Sequence, residues 1–515
     1  MRRAYKYPVL FALLILFAGL SITASQTDTG SAQTVAPPPP NLLFIVTDDM
    51  NASDLDKVAI DGRRVMFHTQ NLIENQGVKF TNGFVTRSLC CPSRATILRG
   101  QYTHNHNVWV NVEPQGGFPR FRELGHESST IATWLDSAPG FTDGYDTVLI
   151  GKYLNRYGNT PTTHVAQGWD KWYAWEGMYT GTDTSYKINE NGTIVTYQRT
   201  QIHDTDLHAQ QAVNFLTEHV NDPERKNTPF FMYLAPNAPH KPAYSAKRHA
   251  NMFKNEPLPK PPSFNEADVS DKPTWVRNRP RLSSTQVSNI TTTYRKRLRA
   301  LQSVDEMVKQ LVDTLSTVKD PRTQEPLINN TYIVFTSDNG DYFGEHRLQE
   351  KAAVYEEDIR VPLLIRGPGV PSGVTRSELV LNNDLAPTFA SWANVQPANV
   401  VDGRPLSPLL STSSSVPWRS AFLIEHKSSP EEYDYVRRIP EYYAVRTSRY
   451  LYVEFPTTNE KEFYDLSADP YQLTNTYNSV VGSQLLSDLQ AKLAALKQCK
   501  GTGLSAPSCE AAEGT

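Results

Sequence analysis

Two polar pairs could hold a metal ion, because each follows an apolar run that is typical of a buried β-strand. Asp48 and Asp49 follow one run, and Asp338 with Asn339 follow another. Their carboxylate and amide oxygens are the hard ligands that Ca²⁺ and Mg²⁺ prefer. A single Asp-Asp pair is more often a solvated turn or a helix cap. The metal hypothesis therefore depends on the two pairs meeting in space.

The four cysteines lie in two places in the chain, and only one of the two places suits a disulfide. Cys90 and Cys91 are adjacent and could be joined only by a strained vicinal link. Cys499 and Cys509 flank a short loop that contains Gly and Pro, and we predict that they form a disulfide, which suits an export compartment. Cys90 then needs another explanation, and a buried thiol at the start of a helix is the structural one.

The run that begins at Cys90 carries the most specific signal in the chain. It resembles the motif of the type I sulfatases of the alkaline phosphatase superfamily, which is Cys-x-Pro-Ser-Arg followed by Leu or Met, Thr and Gly. The matching positions are Cys90, Pro92, Ser93, Arg94, Leu98 and Gly100, and Arg99 stands where Thr is usual. The resemblance implies that Cys90 is oxidised to formylglycine during export by a formylglycine-generating enzyme.

Formylglycine would explain why a cysteine occupies a position that performs oxygen chemistry. A sulfate ester repels nucleophiles, so a site must neutralise charge, present an activated oxygen and stabilise the leaving group. The hydrated aldehyde has a pair of hydroxyls on one carbon. One attacks sulfur, and the other expels sulfate as the carbonyl forms again. A serine could be sulfated but would lack this release route.

The resemblance also implies roles for residues elsewhere in the chain. The family's metal, Ca²⁺ with Mg²⁺ as the alternative, would be bound at Asp48, Asp49, Asp338, Asn339 and the modified Cys90. Asp338 would also help to deprotonate the attacking hydroxyl. The residues implied to contact the sulfate or its leaving group are Lys152, His240 and Lys351, and Arg94 would brace the hydrated aldehyde and the metal ligands.

One position departs from the family pattern. Leu154, in the segment Gly-Lys-Tyr-Leu-Asn, stands where the family has a His that is thought to take the proton from the second hydroxyl. Asn155, a neighbouring His or a water could do this work, or the desulfation step differs. The variant resembles the branch of N-acetylglucosamine-6-sulfatases and extracellular heparan endosulfatases, so we interpret it as a mark of lineage. His104 and His106 lack further ligands at zinc spacing and are predicted to line the pocket.

The elements that must position these residues read as an α/β fold. Apolar runs at 42–47, 147–150, 230–235, 332–337 and 361–365, separated by helical stretches, predict a large, mostly parallel sheet flanked by helices. Because ligands sit at the carboxyl ends of such strands, the polar residues that follow them should converge. From about residue 420, runs at 421–425, 443–447 and 450–455, then 464–466 and a helix at 483–497, predict a smaller antiparallel sheet with one helix.

Two segments between these runs are also assigned. A helix at 294–315 has an apolar stripe, and its Arg295, Lys296, Arg297 and Arg299 are predicted to form a solvated face. Residues 254–284, rich in Pro and charge, are predicted to be an ordered loop over the sheet and a candidate for substrate contact.

The N-terminus and the composition bound the location and the partners. Residues 1–25 are predicted to be a cleaved signal peptide and not a membrane anchor, because the apolar run is shorter than the roughly 20 residues that span a bilayer. Residues 26–40 are predicted to be a Pro-rich linker. The catalytic domain is assigned to 41–415 and a C-terminal subdomain to 416–515. We therefore expect an extracytoplasmic protein without stable membrane insertion.

A net charge of -3 excludes a dedicated nucleic-acid binder. Sequons stand at Asn51, Asn191, Asn289 and Asn329.

The expected activity is that of an arylsulfatase, with an N-acetylglucosamine-6-sulfatase or a related phosphate or phosphonate monoesterase as the alternative. A fold that binds sulfated glycans without turnover is a further rival. The segments Pro262-Ser263-Phe264-Asn265-Glu266 and 294–298 also resemble the glucosamine 6-sulfate branch. No long basic insertion is present to capture a polyanion. We therefore expect cleavage of small aryl sulfates and of terminal 6-sulfated glucosamine, with little salt dependence.

Overall fold

The computed structural model describes residues 38–141, 144–159, 163–177, 184–412, 416–503 and 507–514. The predicted signal peptide and residues 26–37 of the predicted linker lie outside the described residues. The strands in chain order are β1 Asn41–Thr47, β2 Val78–Phe80, β3 Gly83–Phe84, β4 Asp146–Gly151, β5 Lys171–Trp175, β6 Ser185–Glu190, β7 Thr193–Gln198, β8 Phe230–Ala235, β9 Thr331–Ser337, β10 Tyr342–Phe343, β11 Gln349–Glu350, β12 Leu363–Arg366, β13 Val374–Arg376, β14 Val380–Leu381, β15 Ala421–His426, β16 Tyr442–Thr447, β17 Tyr450–Phe455 and β18 Glu460–Asp465.

Ten of the described strands form one sheet in the order β13-β2-β12-β9-β1-β8-β4-β5-β6-β7. The centre is parallel, since β1 pairs in parallel with both β8 and β9, and β4 with both β8 and β5. The pairings of β12 with β9 and of β6 with its neighbours are antiparallel. The mostly parallel sheet is thus confirmed. The last predicted run begins at Leu363 rather than Val361, because Pro362 has no backbone N–H to donate to the ladder.

Helices cover both faces of this sheet. The helices used below are α1 Cys90–Arg99, α2 Gly117–Glu123, α3 Ile131–Asp136, α4 Asp204–Asn221, α5 Ser284–Thr317, α6 Leu385–Trp392, α7 Gln484–Leu496 and α8 Cys509–Glu513. Side chains of β1 alternate between two apolar cores, as the pleat of a strand requires. Leu42 and Phe44 pack with α1, α3 and α6, whereas Leu43 and Ile45 pack with α4 and α5.

Helix α5 is longer than predicted and corrects one assignment. Ser283 and Gln286 form a capping box, which starts the helix at Ser284, ten residues before the predicted start at residue 294. The stripe is buried as expected. The basic residues are not a uniform solvated face, however. Lys296 is exposed, but Arg297 is only 1% exposed and points into the molecule.

The C-terminal part contains the predicted antiparallel sheet, in the order β15-β16-β17-β18, with α7 packed against it. The run predicted at 464–466 belongs to a longer strand, β18. Cys499 and Cys509 form the predicted disulfide, and Cys90 and Cys91 are unpaired. No helix among the described residues is long and apolar enough to span a membrane.

Of the sequons, Asn191, Asn289 and Asn329 are exposed, but Asn51 is not available for a glycan. Asn51 is buried, and its amide donates to the backbone carbonyls of Asp341 and Glu357. Its side chain therefore serves the fold.

Candidate active site

The polar ends of the parallel strands meet at one edge of the sheet, as predicted. Asp48 and Asp49 leave β1 beside the ends of β8 and β9. The Asp48 backbone N–H donates to Ala238 O at 3.3 Å, and the Asp49 N–H donates to Asp338 Oδ1 at 3.0 Å. Asp49 has a φ of 70°, a left-handed conformation that Asp tolerates better than most residues. This turn ends the strand and places both carboxylates in the site.

Cys90 is the first residue of α1, and it lies against these carboxylates. Its side chain is buried, with Sγ 3.5 Å from Asp48 Oδ1 and 2.9 Å from Lys351 Nζ. Burial raises the pKa of the Cys90 thiol above its ordinary value, and Lys152 and Lys351 only partly oppose this shift. If Cys90 is oxidised as predicted, Sγ stands where the oxygens of the hydrated aldehyde would lie.

Arg94 lies one turn after Cys90 on α1 and connects three strand ends. Its Nε donates to Asp338 Oδ2 at 2.8 Å, and its Nη1 donates to Lys152 O at 2.9 Å. Asp48 Oδ1 is 3.9 Å from Nη2, which is buried and has no hydrogen-bond partner. Burial lowers the pKa of Arg94, but Asp338 and Asp48 outweigh it, so the guanidinium stays charged. Arg94 therefore holds the carboxylates in place.

The residues present fit a divalent cation. Ligand atoms of Asp48, Asp49, Cys90 and His240 lie within 4.8 Å of one another. Asn339 adds a second observation, because its Oδ1 is buried without a hydrogen-bond partner while its Nδ2 donates to Asp49 Oδ1 at 2.6 Å. A buried carbonyl oxygen without a donor is costly unless a ligand completes it. Carboxylate and amide oxygens are the donor set for Ca²⁺ or Mg²⁺.

Cationic side chains neutralise the carboxylates from the cavity side. Lys152 Nζ lies 2.7 Å from Asp48 Oδ2, and the ammonium of Lys351 contacts Asp49 Oδ1. Burial alone would raise the pKa of Asp48, but Lys152 and its neighbouring cations lower it well below its usual range. Burial raises the pKa of Asp338, which Arg94 only partly opposes. The carboxyls of this cluster are therefore not equivalent.

His240 completes the cluster at its exposed side. Its Nδ1 lies 2.5 Å from the carbonyl of Lys241, an acceptor, so Nδ1 carries a proton and Nε2 faces Asp49 Oδ2 at 3.6 Å. Burial lowers the pKa of His240, although Asp48 and Asp49 oppose the shift. Lys152, Lys351 and His240 are thus brought together, as the sequence predicted.

A cavity of about 240 Å³ opens onto Lys152 and His240. Leu154 and Asn155 line it, and Asn155 Oδ1 is buried without a hydrogen-bond partner. Of the side chains offered as replacements for the family His, Asn155 and His240 border the cavity. The other lining residues include Asn111, Arg156, Trp175, Asn237, Lys241, Glu350, Tyr433 and Tyr435. The loop at 254–284 does not contribute to this cavity.

The prediction that His104 and His106 line the pocket is wrong. His106 is fully buried and its Nε2 lies 3.0 Å from Thr96 Oγ1. His104 is paired with Glu425 and lies 2.9 Å from Cys499 O. Both side chains face inward because the short helix that carries them packs between α1 and the C-terminal disulfide. Their role is structural.

Sequence reasoning missed two kinds of residue at the site. Arg297, assigned to a solvated face, donates to the backbone carbonyl of Asp49 and lies 3.4 Å from Asp341. The rings of Tyr433 and Tyr435 are parallel at 5.8 Å and come from the C-terminal part of the chain. The position of Arg297 within the apolar stripe of α5, next to Leu298, was a usable signal for its burial. No local pattern indicated the tyrosines.

Comparisons with known proteins agree with this geometry. The family described as Sulfatase matches residues 40–395, and the one described as N-sulphoglucosamine sulphohydrolase, C-terminal, matches residues 344–499. A human N-acetylglucosamine-6-sulfatase is 32% identical over 97% of this chain and 90% of its own length. An arylsulfatase of Volvox carteri is 30% identical over 91% of this chain and 76% of its own. The match to an extracellular sulfatase Sulf-1 homologue of Caenorhabditis elegans, 32% identical, covers 83% of this chain and 57% of that relative.

A solved structure also has this fold. It is a protein in complex with its substrate, D-glucosamine-2-N,6-O-disulfate, and it superposes with a TM-score of 0.70 over 88% of this chain and 97% of its own, at 24% identity. A phosphonate monoester hydrolase from Silicibacter pomeroyi has a TM-score of 0.64, at 22% identity over 88% of this chain and 93% of its own. At this identity the likeness establishes the alkaline phosphatase-like fold.

Proposed function

The chain belongs to the sulfatase family and is a sulfatase, and from that premise we propose that it hydrolyses sulfate monoesters through formylglycine at Cys90. We propose as substrates terminal 6-sulfated glucosamine of glycans and small aryl sulfates. The observation that supports the mechanism is the position of Cys90, buried between Asp48 and Lys351 at the carboxyl edge of the sheet. A structural thiol would need none of these charged neighbours.

The charged side chains of the cluster divide the work. Lys152 and Lys351 would pair with the sulfate oxygens, whose charge grows as the ester bond breaks. Arg94 fixes Asp338 and Asp48, so the proposed base would keep its position relative to the carboxylate that lies beside Cys90. Asp48, Asp49, Asp338, Asn339 and the modified Cys90 would hold Ca²⁺ or Mg²⁺. Such a cation supplies Lewis-acid polarisation and lowers the pKa of a bound hydroxyl.

His240 and Lys351 are the candidates for protonating the leaving oxygen. His240 borders the cavity and keeps a proton on Nδ1 by means of the Lys241 carbonyl, so Nε2 is the nitrogen that faces the site. Nε2 would protonate the leaving oxygen only from the imidazolium form, which Asp48 and Asp49 favour against the effect of burial. Asn155 and His240 are the residues near the position of Leu154 that could assist the release of sulfate. Asn155 would do so by orienting a water or a hydroxyl with its carbonyl oxygen, not by taking a proton.

The cavity suits a sugar ring better than it suits a purely apolar ligand. Trp175, Tyr433 and Tyr435 provide aromatic surface, and the amides of Asn111 and Asn155 provide hydrogen-bonding groups at the same cavity. The relatives that include N-acetylglucosamine-6-sulfatases, and the neighbour with a glucosamine disulfate substrate, favour glucosamine 6-sulfate. An aryl sulfate with a good leaving group needs fewer of these contacts and should also be cleaved.

Oxidation of Cys90 must precede folding in this proposal. Every residue of α1, from Cys90 to Arg99, is buried, so a modifying enzyme cannot reach the folded helix. We propose that a formylglycine-generating enzyme acts on the unfolded chain in an export compartment. This fits the predicted signal peptide and the disulfide between Cys499 and Cys509.

The test uses protein from a host that makes formylglycine. Mass spectrometry of the tryptic fragment that contains Cys90 should show loss of sulfur and gain of oxygen at that residue. Sulfate release from glucosamine 6-sulfate and from an aryl sulfate should fall at least about 10⁴-fold in Cys90→Ala. Fully active protein with unmodified Cys90 would contradict the mechanism. A matching phosphate ester measures the phosphatase alternative, and faster turnover of that ester would contradict the substrate class.

A further inference from the structure

A second cavity, of about 510 Å³, is lined by cations without any acidic side chain. Its charged residues are Arg279, Arg347 and Arg438, and Trp275, Gln286 and Gln349 add polar or aromatic groups. Arg438 is paired at 3.0 Å with Asp434, which does not line the cavity, whereas Arg279 and Arg347 form no salt bridge with a described residue. The active-site cavity is different, since Glu350 lines it together with Lys152, Arg156 and Lys241. A concave surface of one charge sign focuses its field on a ligand of the opposite sign.

Two donors of this cavity have no acceptor in the protein. Arg279 Nε and Trp275 Nε1 are buried atoms without a hydrogen-bond partner, and the guanidinium lies 5.4 Å from the indole ring. No carboxylate among the described residues lies within salt-bridge distance of Arg279. Burial and the nearby Arg438 lower the pKa of Arg279. Buried donors of this kind are completed by a ligand or by water.

Arg347 is held in place by backbone groups and not by an opposite charge. It donates to the carbonyls of Glu266, Arg279 and Ala267 at 2.7–2.9 Å. His346 and Arg347 have φ values of 50° and 62°, so consecutive non-glycine residues are left-handed. Such strained conformations persist where the surroundings require them, often at binding sites. The positive charge of Arg347 is thus fixed at the cavity, and no carboxylate of the described residues lies within salt-bridge distance of it, although Asp268 is near enough to interact with its charge.

Two elements border both cavities. In β11, Gln349 lines the cationic cavity and the next residue, Glu350, lines the active-site cavity. The short helix Asp434–Arg437 carries Tyr435, which lines the active-site cavity, and ends at Arg438, which lines the cationic one. The two cavities therefore adjoin along β11 and this helix, and a ligand that extends from the active-site cavity along these elements would meet the cationic one.

We propose that the cationic cavity binds a second anionic group, a sulfate or a carboxylate, on a sugar unit that follows the terminal 6-sulfated glucosamine of an oligosaccharide. This proposal rests on the proposed substrate. Guanidinium groups match the oxygens of both anions, and an indole N–H can donate to either. The cations come from distant parts of the chain, so a search for a basic insertion could not detect them.

The test compares a cavity variant with a matched control. The cavity variant, Arg279→Gln/Arg438→Gln, removes two charges that line the cavity. The control variant, Arg281→Gln/Arg437→Gln, removes two exposed charges that are close in sequence but do not line the cavity. The substrates are glucosamine 6-sulfate and a tetrasaccharide that ends in it and carries further sulfates. The cavity variant should raise the KM for the tetrasaccharide roughly tenfold and leave the monosaccharide unchanged. In the unaltered protein, added salt should raise the KM for the tetrasaccharide more than for the monosaccharide.

The control variant should leave both KM values unchanged. An unchanged KM for the tetrasaccharide in the cavity variant would overturn the proposal, and so would an equal rise for the monosaccharide or in the control. Calorimetric binding of the tetrasaccharide to Cys90→Ala protein, with and without the cavity substitutions, separates this proposal from the proposed function. Weaker binding caused by the cavity substitutions alone supports the cationic site even if the protein hydrolyses neither sugar. Equal binding refutes the site even if it hydrolyses both.

Discussion

Two of the buried clusters of ionised side chains in the described part of the chain differ in how fully their hydrogen-bonding groups are satisfied. At the active site, Arg94 Nη2 and Asn339 Oδ1 have no hydrogen-bond partner. In the second cluster, Arg419 donates to both oxygens of Asp384 and lies 2.8 Å from Glu513 Oε2. Every buried polar atom of these three side chains has a hydrogen-bond partner among the described residues.

The difference separates a group of charges kept for chemistry from one kept for the fold. The Arg419 cluster connects three parts of the chain, since Glu513 lies in α8, Asp384 directly precedes α6 and Arg419 precedes β15. Its net charge is one negative unit, and Arg404 at 3.0 Å from Glu513 balances it. Complete pairing makes such a cluster rigid. The active-site cluster keeps a donor and an acceptor without hydrogen-bond partners, which a sulfate and a cation would use.

The largest effect is expected when the active-site cluster loses one charge. Asp338→Asn keeps the shape of the side chain, but its one amide oxygen can accept from only one of Arg94 Nε and the Asp49 N–H, so a modest loss of stability should accompany the change. Turnover should fall about 10⁴-fold, because metal ligation and proton transfer are both impaired. Steady-state kinetics and a thermal melt on the same sample measure the two effects. Near-normal turnover would show that Asp338 belongs with the structural charges.

The opposite result is expected in the Arg419 cluster. Arg419→Met leaves Asp384 and Glu513 buried without their main partner, which should lower the free energy of unfolding by about 3–5 kcal/mol. Residual folded protein should keep its KM, because Arg419 contacts neither cavity. Denaturant unfolding measures the first effect. Arg449→Met, in an exposed pair with Asp465, is the control and should leave the midpoint unchanged. Equal loss in both variants would refute the distinction.

A smaller, pH-dependent effect is expected at the pair of His104 and Glu425. Burial lowers the pKa of His104, but Glu425 outweighs it and raises the pKa to about 9. Because this folded value lies above that of an unfolded histidine, about 6.5, the stabilisation is complete below pH 6.5 and is lost as the pH rises through 9. His104→Gln should therefore lower the free energy of unfolding by about 2–3 kcal/mol at pH 6.

Stability curves of both proteins from pH 6 to pH 10 would check this result. The two curves should converge near the top of that range, while sulfatase activity below pH 8 stays unchanged. A constant difference across the range would show that His104 acts by packing and not by charge.

The parts that could be predicted from the sequence are those with local signals. The strand before Asp48 and the one before Asp338 are short apolar runs that end in polar residues, and parallel pairing alone brings such ends together. The disulfide of Cys499 and Cys509 was predicted because these cysteines flank a short loop, whereas the adjacent Cys90 and Cys91 could be joined only by a strained link. The sites of Cys90, Lys152 and Lys351 came from the family motif.

The parts that could not be predicted depend on contacts between distant segments. Arg279 and Arg438 lie about 160 residues apart in the chain, so no window of the sequence shows them as one charged surface. His104 was misplaced because its partner, Glu425, lies in β15. Asn51 begins an intact sequon, yet its side-chain amide is buried and donates to the backbone carbonyl of Asp341, so it is not available for a glycan. Each error concerns burial, which only the folded chain decides.

The position of Glu513 has a consequence for the order in which the protein is made. Its carboxylate accepts from Tyr102, close behind α1, so the packing around that helix waits for a residue synthesised about 420 positions after Cys90. At roughly 5–20 residues per second this delay lasts on the order of 20–80 seconds. During that interval the Cys90 segment has not received its final cover. Under the proposed mechanism, this interval would be the time in which the modifying enzyme reaches Cys90 before the helix is covered.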